Sequence, residues 1–404
     1  MTDPQTEVLY NPLDPSAHAD PYPQYRRLRE LDPVHRSPYG FYVLTRYSDI
    51  MLLTRSHDVS SAFHTDASWA KRRGGPDSTI VNSTRSWMLM IDGMAHRRIR
   101  GVVNHVFTGR AIERLRGRVD TLIKELLAHL EPGVTIDLIN ELALPLPVIV
   151  ICELLGLPAE DRDQCRRWTE AIGHVVDPII TGDMSGAMND AAAEFRAYIG
   201  GQLAQRRANP SEDVLSLLAT TRLQDGALTD REIIDNVLLL FAAGHETTVN
   251  LIGNGTLALL QNPDEVATAL SSGGITDSGV DELVRYDAPV QLVARLATAD
   301  ISLQDTVIEE GSKMMLLLGA ANRDPERYAD PDTLRLDRAD VKPASFGGGA
   351  HYCIGALLGK MEAGLAFNHL FSNHRLELAT DELQWRPNVN FRGLRSLPLT
   401  VSAR

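Results

Sequence analysis

The stretch Phe346-Gly347-Gly348-Gly349-Ala350-His351-Tyr352-Cys353-Ile354-Gly355 restricts this chain more than any other. Three consecutive glycines permit backbone angles and close approaches that a side chain forbids. The following Ala356-Leu357-Leu358-Gly359-Lys360-Met361-Glu362-Ala363 reads as a helix. Cys353 is therefore expected at a helix N-terminus, where unpaired amides and the helix dipole favour a thiolate. Four fates compete for such a cysteine. A buried structural thiol is the commonest, yet it has no need of three preceding glycines. A phosphate loop requires Gly-x-x-x-x-Gly-Lys-Ser/Thr. Here Gly355 to Gly359 is one residue short, and Met361 stands where the hydroxyl belongs. A zinc site wants further Cys or His at ligand spacing, and His351-x-Cys353 has no second pair nearby. The fourth fate is a thiolate ligand to haem iron, held by amides beneath a flat apolar group.

Composition narrows the setting. Three cysteines, Cys152, Cys165 and Cys353, are too few for a disulfide framework and point to a reducing compartment. Cys152 falls in an apolar segment and Cys165 in a charged one, and neither carries a signal of its own. With 53 Asp and Glu against 40 Lys and Arg, the formal charge of −13 argues against nucleic acid as a partner. The most apolar run, Leu142 to Cys152, is interrupted by Pro145 and Pro147. A membrane span needs about 20 largely apolar residues, so no membrane insertion is expected. The first residues lack the positive start and apolar stretch of a secretory signal, and the expected location is cytoplasmic.

Along the chain, residues 1–20 read as a loose lead-in rich in Pro, Asp and Asn. A helix is expected over 23–31, then a hairpin from Val34-His35-Arg36 and Phe41 to Arg46 around a Ser-Pro-Tyr-Gly turn. Residues 57–86 show no period and are read as a long loop of the functional kind. Ile112, Leu115, Val119, Leu122, Leu126 and Leu130 recur at spacings of three and four, one apolar helix face. Further helices are expected at 139–156, 160–174, 187–208 and 211–221. Pro178, Gly182 and Gly186 break the pattern over 174–186, where a mobile lid is expected. The fold class is mainly α with a small β-rich portion drawn from both ends of the chain, in one unit spanning 1–404.

Thr229-Asp230-Arg231-Glu232 has the form of a capping box. The helix it opens runs to about Gln261, roughly 45 Å at 1.5 Å per residue. Val237 to Ala243 is apolar on every side and implies burial all round. Ala243-Gly244-His245-Glu246-Thr247-Thr248 then makes a poor helix centre, because Gly costs about 1 kcal/mol against Ala. Two readings stay open: a local bulge that opens a polar notch, or a close helix contact at Gly244 with the threonines bonded back to the preceding turn.

With these motifs in order, the chain resembles the cytochrome P-450 family of the bacterial type. The cysteine loop matches Phe-x-x-Gly-x-His/Arg-x-Cys-x-Gly at Phe346, Gly349, His351, Cys353 and Gly355. Glu282-Leu283-Val284-Arg285 resembles the family's Glu-x-x-Arg helix, with Arg338 as third member of the ion-pair cluster. Ala243 to Thr248 resembles its oxygen-binding groove, and Asn322-Arg323-Asp324-Pro325 matches a further stretch. The resemblance implies the family's single triangular haem domain. It also implies haem b (iron protoporphyrin IX) ligated by Cys353 and lying against Ala243 and Gly244, with propionates held by His96, Arg100, Arg295 and His351.

The resemblance further implies a monooxygenase that uses dioxygen (O2). Thr247 is then the hydroxyl bonding it and Glu246 the acid of a proton relay. Electrons come from a separate ferredoxin and ferredoxin reductase, for which Arg97, Arg98 and Lys360 are the expected docking cations. Pocket walls are expected from Trp87, Met88, Leu240, Leu292, Val293 and Phe391, mainly apolar side chains that suit a medium-sized hydrophobic natural product. Arg85 or Arg392 could meet a polar group on it. A haem-thiolate sensor without turnover, or a peroxide-driven peroxygenase, are the alternatives; retention of Glu246-Thr247 favours dioxygen.

Overall fold

The computed structural model describes residues 10–12, 14–177, 184–223 and 226–403. Helices dominate, and the expected ones form with small shifts at their ends. The three-and-four spacing gives Gly109–Leu127, capped by the Thr108 hydroxyl, with Ile112, Val119, Leu122 and Ile123 buried. Arg162–Gly173, Ser185–Ala208 and Val214–Thr220 follow. The 139–156 segment divides in two, a π-turn over Ile139–Ala143 and a helix over Pro145–Leu155. Proline at the first helical position explains the division, because it lacks the N–H that would continue the preceding turn.

Sheets are few. Val34–Arg36 and Phe41–Leu44 pair as the expected hairpin. Lys313–Leu316 adds parallel to Phe41–Leu44, then Val293–Ala297 and Val59–Ser60 complete five strands, antiparallel in turn. A second sheet places Pro398–Ala403 between His374–Leu378 and Thr135–Asp137. Strand segments from before residue 61 and after residue 292 thus share one sheet, as a β portion drawn from both ends requires.

Two expectations need correction. Residues 57–86 are not one loop: short helices form at Ala67–Lys71 and Thr79–Thr84, the first capped by the Asp66 carboxylate bonding the Trp69 amide at 2.7 Å. Their apolar spacing is too short to register as a period, so a cap and one buried Trp decide instead. The 1–20 lead-in is also more ordered than expected where it is described, with Tyr10 buried and a turn of helix at Pro15–Ala19. The lid expected over 174–186 falls largely on residues 178–183, outside the described residues.

The central helix spans Asp230–Gln261, 32 residues, and both halves of its capping box are present. Its backbone stays α-helical through Gly244, so there is no bulge. The Thr247 and Thr248 hydroxyls donate to the carbonyls of Ala243 and Gly244 at 2.8 and 3.0 Å, the back-bonded arrangement. Close packing, however, occurs elsewhere. A Cβ on Gly255 would lie 2.4 Å from Phe367, and one on Gly253 would lie 2.7 Å from Ile139, whereas one on Gly244 meets nothing within 4 Å. Gly244 therefore keeps a space open.

Candidate active site

That space is a cavity of about 320 Å³ between the central helix and the cysteine loop. Ala243, Gly244, Thr247, Thr248 and Leu251 form one wall; Phe346, Cys353, Ile354, Gly355 and Leu358 form the other. The loop holds its shape for reasons visible in the glycines. Gly347 and Gly349 adopt φ of +71° and +61°, and a Cβ on Gly349 would lie 2.6 Å from the Thr54 carbonyl oxygen. Only glycine fits there. The Cys353 amide donates to the Phe346 carbonyl at 2.8 Å, which closes the loop ahead of the Ala356–Asn373 helix.

Cys353 is exposed, and its exposure opens into the cavity it lines. Burial pushes its thiol up, while the Gly355 and Ala356 amides and the Arg100 charge act against that rise. The expected amide effect is thus present but outweighed in the protein alone. A coordinated cation reverses the balance, because a thiol bound to a metal gives up its proton outright.

At one edge of the cavity stand the polar residues expected to meet propionates. His96 is buried, its Nε2 has no hydrogen-bond partner among the described residues, and its ring centre lies 4.4 Å from that of His351. Burial, the His351 charge and Arg100 together lower its pKa to about 4. Arg295 lines the cavity and makes no direct ion pair among the described residues; burial lowers its pKa to about 10, against the opposing pull of the Asp92 charge. Arg100 donates to the Tyr352 carbonyl. His351 is already engaged, with Nε2 3.0 Å from Asp92 Oδ1 and 3.2 Å from Ser61 Oγ. Asp92 escaped the sequence reading, although an acid directly before the Gly93–Asn104 helix was a signal.

These residues fit a haem. Two apolar walls accept a flat ring, a thiol faces the side where no side chain covers Gly244, and two arginines with an orphaned imidazole nitrogen gather at one edge. Buried carboxylates require such partners.

Glu246 and Thr247 part company. Thr247 lines the cavity, whereas Glu246 is directed toward Arg386, 3.6 Å away, and Gly173. Burial raises the Glu246 pKa, and Arg386 acts to lower it. Of the expected substrate walls, Met88, Leu240, Leu292, Val293 and Phe391 line the cavity. Trp87 does not. It is fully buried in the core, and its indole N–H donates to Ser83 Oγ at 3.2 Å. Trp69, overlooked in the sequence, lines the cavity from a neighbouring element. Arg392 is also a core residue, paired with Asp287 at 2.7 Å, and Arg85 donates to the Pro76 carbonyl.

The Glu282 cluster is far from a solvated face. Arg285 makes two hydrogen bonds to Glu282 at 2.6 and 2.8 Å, and Arg338 adds a third at 3.1 Å. Glu282 and Arg285 are fully buried. Two of the expected docking cations are neutralised: Arg98 pairs with Glu232, and Lys360 with Asp281 at 2.6 Å.

Comparison with known proteins bears on this arrangement. The family profile described as Cytochrome P-450 matches residues 274–400. The chain is 34% identical over 408 residues to the polyketide biosynthesis cytochrome P-450 PksS of Bacillus subtilis (strain 168), covering 98% of this chain and 99% of that one. It is 36% identical over 393 residues to the cytochrome P-450 monooxygenase PikC of Streptomyces venezuelae, with 94% and 91% covered. The solved structure of CalO2 superposes with a TM-score of 0.92 at 31% identity, covering 98% of this chain and 100% of that one. No helix among the described residues is long and apolar enough to cross a membrane.

Proposed function

Because the chain belongs to the cytochrome P-450 family of haem-dependent oxidoreductases, we propose that it inserts one atom of dioxygen into a medium-sized hydrophobic natural product, with electrons from a separate ferredoxin and its reductase. The observation that carries this reading is the cavity itself, in which Cys353 on one wall faces Gly244 and Thr247 on the other across a mainly apolar chamber.

Cys353 would hold the iron, and His96, Arg100 and Arg295 the propionates, with His351 joining them through its contact with Asp92. Haem, when bound, supplies the reductive activation of dioxygen that no side chain can perform. The chain's own residues do the rest. Met88, Leu240, Leu292, Val293 and Phe391 bind and orient an apolar substrate and exclude water from it. Gly244 leaves room for a small ligand beside the helix. Thr247 keeps a hydroxyl in the chamber, and its bond to the Ala243 carbonyl directs the oxygen's lone pairs away from the helix. Glu246 holds a proton more firmly than a surface acid does, because burial raises its pKa. One residue from Thr247, and met by Arg386 on its far side, it can bring protons from the surface to that hydroxyl. A polyketide is the substrate class we favour, since the apolar walls suit one and PksS is named for polyketide biosynthesis.

The electron donor is read from the opposite face. Tyr352 and Leu357 expose 47% and 52% of their surface beside Cys353, an apolar centre with no cover. Arg97, Arg110 and Arg114 are exposed on the two adjoining helices and have no acidic partner among the described residues. A basic rim on a chain of net charge −13 fits a small acidic electron carrier. Arg97 stands from the sequence reading, and Arg110 and Arg114 take the places of Arg98 and Lys360.

The test is the reduced carbon-monoxide difference spectrum, followed by turnover with a surrogate ferredoxin and reductase on polyketide candidates. The red-shifted band of a thiolate-ligated haem is expected, and its absence from folded, haem-loaded protein overturns the reading. Product with electron donors identifies the monooxygenase; a reduced carbon-monoxide band with no product from any donor identifies a sensor.

A further inference from the structure

The aliphatic hydroxyls on the chamber walls already have partners within the protein. Thr247 and Thr248 donate back along the central helix. Ser61 donates to Asp92 at 3.1 Å, and Ser345 donates to the Val290 carbonyl while accepting from the Asn322 carboxamide at 2.9 Å. Asn390 differs. It lines the chamber with only 6% of its surface exposed, and its carboxamide makes no hydrogen bond among the described residues. A small separate cavity is lined by Asn388, Val389 and Arg392 but not by Asn390, so what Asn390 leaves open belongs to the chamber. An amide has two donors and an acceptor to satisfy. Folded proteins rarely leave such a group dry at this depth.

The turn that carries Asn390 is held from three sides. The Asn388 carboxamide oxygen accepts from the amides of Asn390 and Phe391 at 2.9 and 2.8 Å, which closes an Asx turn. The Asn390 carbonyl accepts from the Gln291 amide at 2.8 Å, and the Arg392 amide donates to the Pro289 carbonyl at 2.9 Å, on either side of the Val290–Phe391 bridge. Asn254 of the central helix donates to the Arg392 carbonyl at 3.0 Å. Both backbone groups of Asn390 are therefore spent on the turn, and only its side chain is left for a ligand. Beside it Leu292, Val293 and Phe391 present apolar surface to the same chamber. One fixed amide among apolar walls is how a pocket reads a single polar group.

We propose that Asn390 is a specificity-determining residue, whose carboxamide hydrogen-bonds a neutral oxygen of the substrate, a carbonyl or a hydroxyl, and so selects an oxygenated skeleton over a hydrocarbon of the same shape. It rests on the reading of the cavity as a substrate chamber and narrows the substrate class. The oxygen is neutral because an amide carries no charge to repay an ion for leaving water, and the chamber's cations, Arg100 and Arg295, gather at the propionate edge. A carbonyl takes the amide N–H, and a hydroxyl takes either end of the amide. A site of this kind discriminates by what it leaves undone: a ligand without the oxygen fills the chamber and strands the amide unpaired.

Cyclododecanone, cyclododecanol and cyclododecane share one ring and differ only in the oxygen. Titrating each into the haem-loaded protein gives its Kd from the shift of the haem absorption band and from calorimetry. The quantity that tests the proposal is the Kd of the hydrocarbon divided by that of the ketone or the alcohol. Asn390→Leu, close in shape to the parent side chain, is expected to lower this ratio about 10- to 100-fold, and to bind cyclododecane at least as tightly as the wild type does. In the wild-type complex the ketone's C=O stretch is expected below its frequency in alkane solution, and in Asn390→Leu it is expected to return there. A ratio that Asn390→Leu leaves unchanged, a bound C=O stretch at the alkane frequency, or failure of both oxygenated probes to bind the wild type each overturns the proposal. If Asn390→Leu takes up no haem, the C=O stretch in the wild type decides. The carbon-monoxide spectrum of the same samples reports separately on thiolate ligation, so an unchanged ratio beside an intact band removes the role of Asn390 and leaves the monooxygenase reading standing.

Discussion

Thr247 shows how one side chain divides its duties. Its hydroxyl is tied to the Ala243 carbonyl yet faces the cavity, so removing it leaves the helix intact and the chamber without a hydroxyl. Thr247→Ala is expected to cut product formation by about 10- to 100-fold while peroxide release rises, at the low end of general acid–base contributions; assaying both on one sample checks it. His245, two residues earlier on the helix, is buried with Nε2 unpartnered among the described residues, and burial lowers its pKa to about 4. The unfolded chain, with an ordinary pKa of about 6.5, binds this proton and the folded chain does not. Stability from this group is therefore complete above about pH 6.5 and falls toward pH 4, at roughly 1.4 kcal/mol per pH unit. Denaturation midpoints across that range should show a flatter fall in His245→Phe. Legibility differs sharply between residues. Cys353 was legible because glycines must surround it. Asn390 was not, because an amide among turn residues looks like any loop polar group until its neighbours are known. Trp87 was misplaced because large apolar side chains serve core and pocket alike.

At the scale of elements, the Glu282 cluster fixes the helix Asp277–Tyr286 to the segment that carries Arg338. Glu282 also accepts from the Arg335 amide at 3.0 Å, and Arg285 donates to the carbonyls of Asn322 and Pro331. One acid therefore serves two arginines and a backbone turn. Glu282→Ala is expected to cost about 3–5 kcal/mol, since it strands two buried guanidinium groups; urea denaturation of the haem-loaded protein measures it. An i,i+3 pair read from sequence implies an exposed contact of small worth. Burial, invisible in spacing, makes the difference. The central helix was legible at both ends, because its capping box and the Asn262-Pro263 that follows it are local signals. Its unbroken backbone at Gly244 was not, because sequence gives the cost of a glycine but not what lies opposite it.

For the whole molecule, charge placement outweighs net charge. Arg110→Glu with Arg114→Glu is expected to slow reduction by ferredoxin about tenfold at low salt, with the difference shrinking as salt rises. The carbon-monoxide spectrum should stay as in the parent protein, and stopped-flow reduction across a salt series checks both. A fold mainly of helices with a little sheet was legible from periodicity. The pairing of Phe41–Leu44 with Lys313–Leu316 was not, because it joins strands some 270 residues apart. That same long-range closure governs the cavity, whose walls include Met88, Leu240, Val293, Cys353 and Phe391. During synthesis an emerging chain meets these pieces one after another, and the pocket cannot close until Phe391 is free to fold against Val290. Cofactor capture then waits on this last-made wall, so a chain that has emerged only as far as Cys353 carries the ligand loop without the chamber that would enclose a haem.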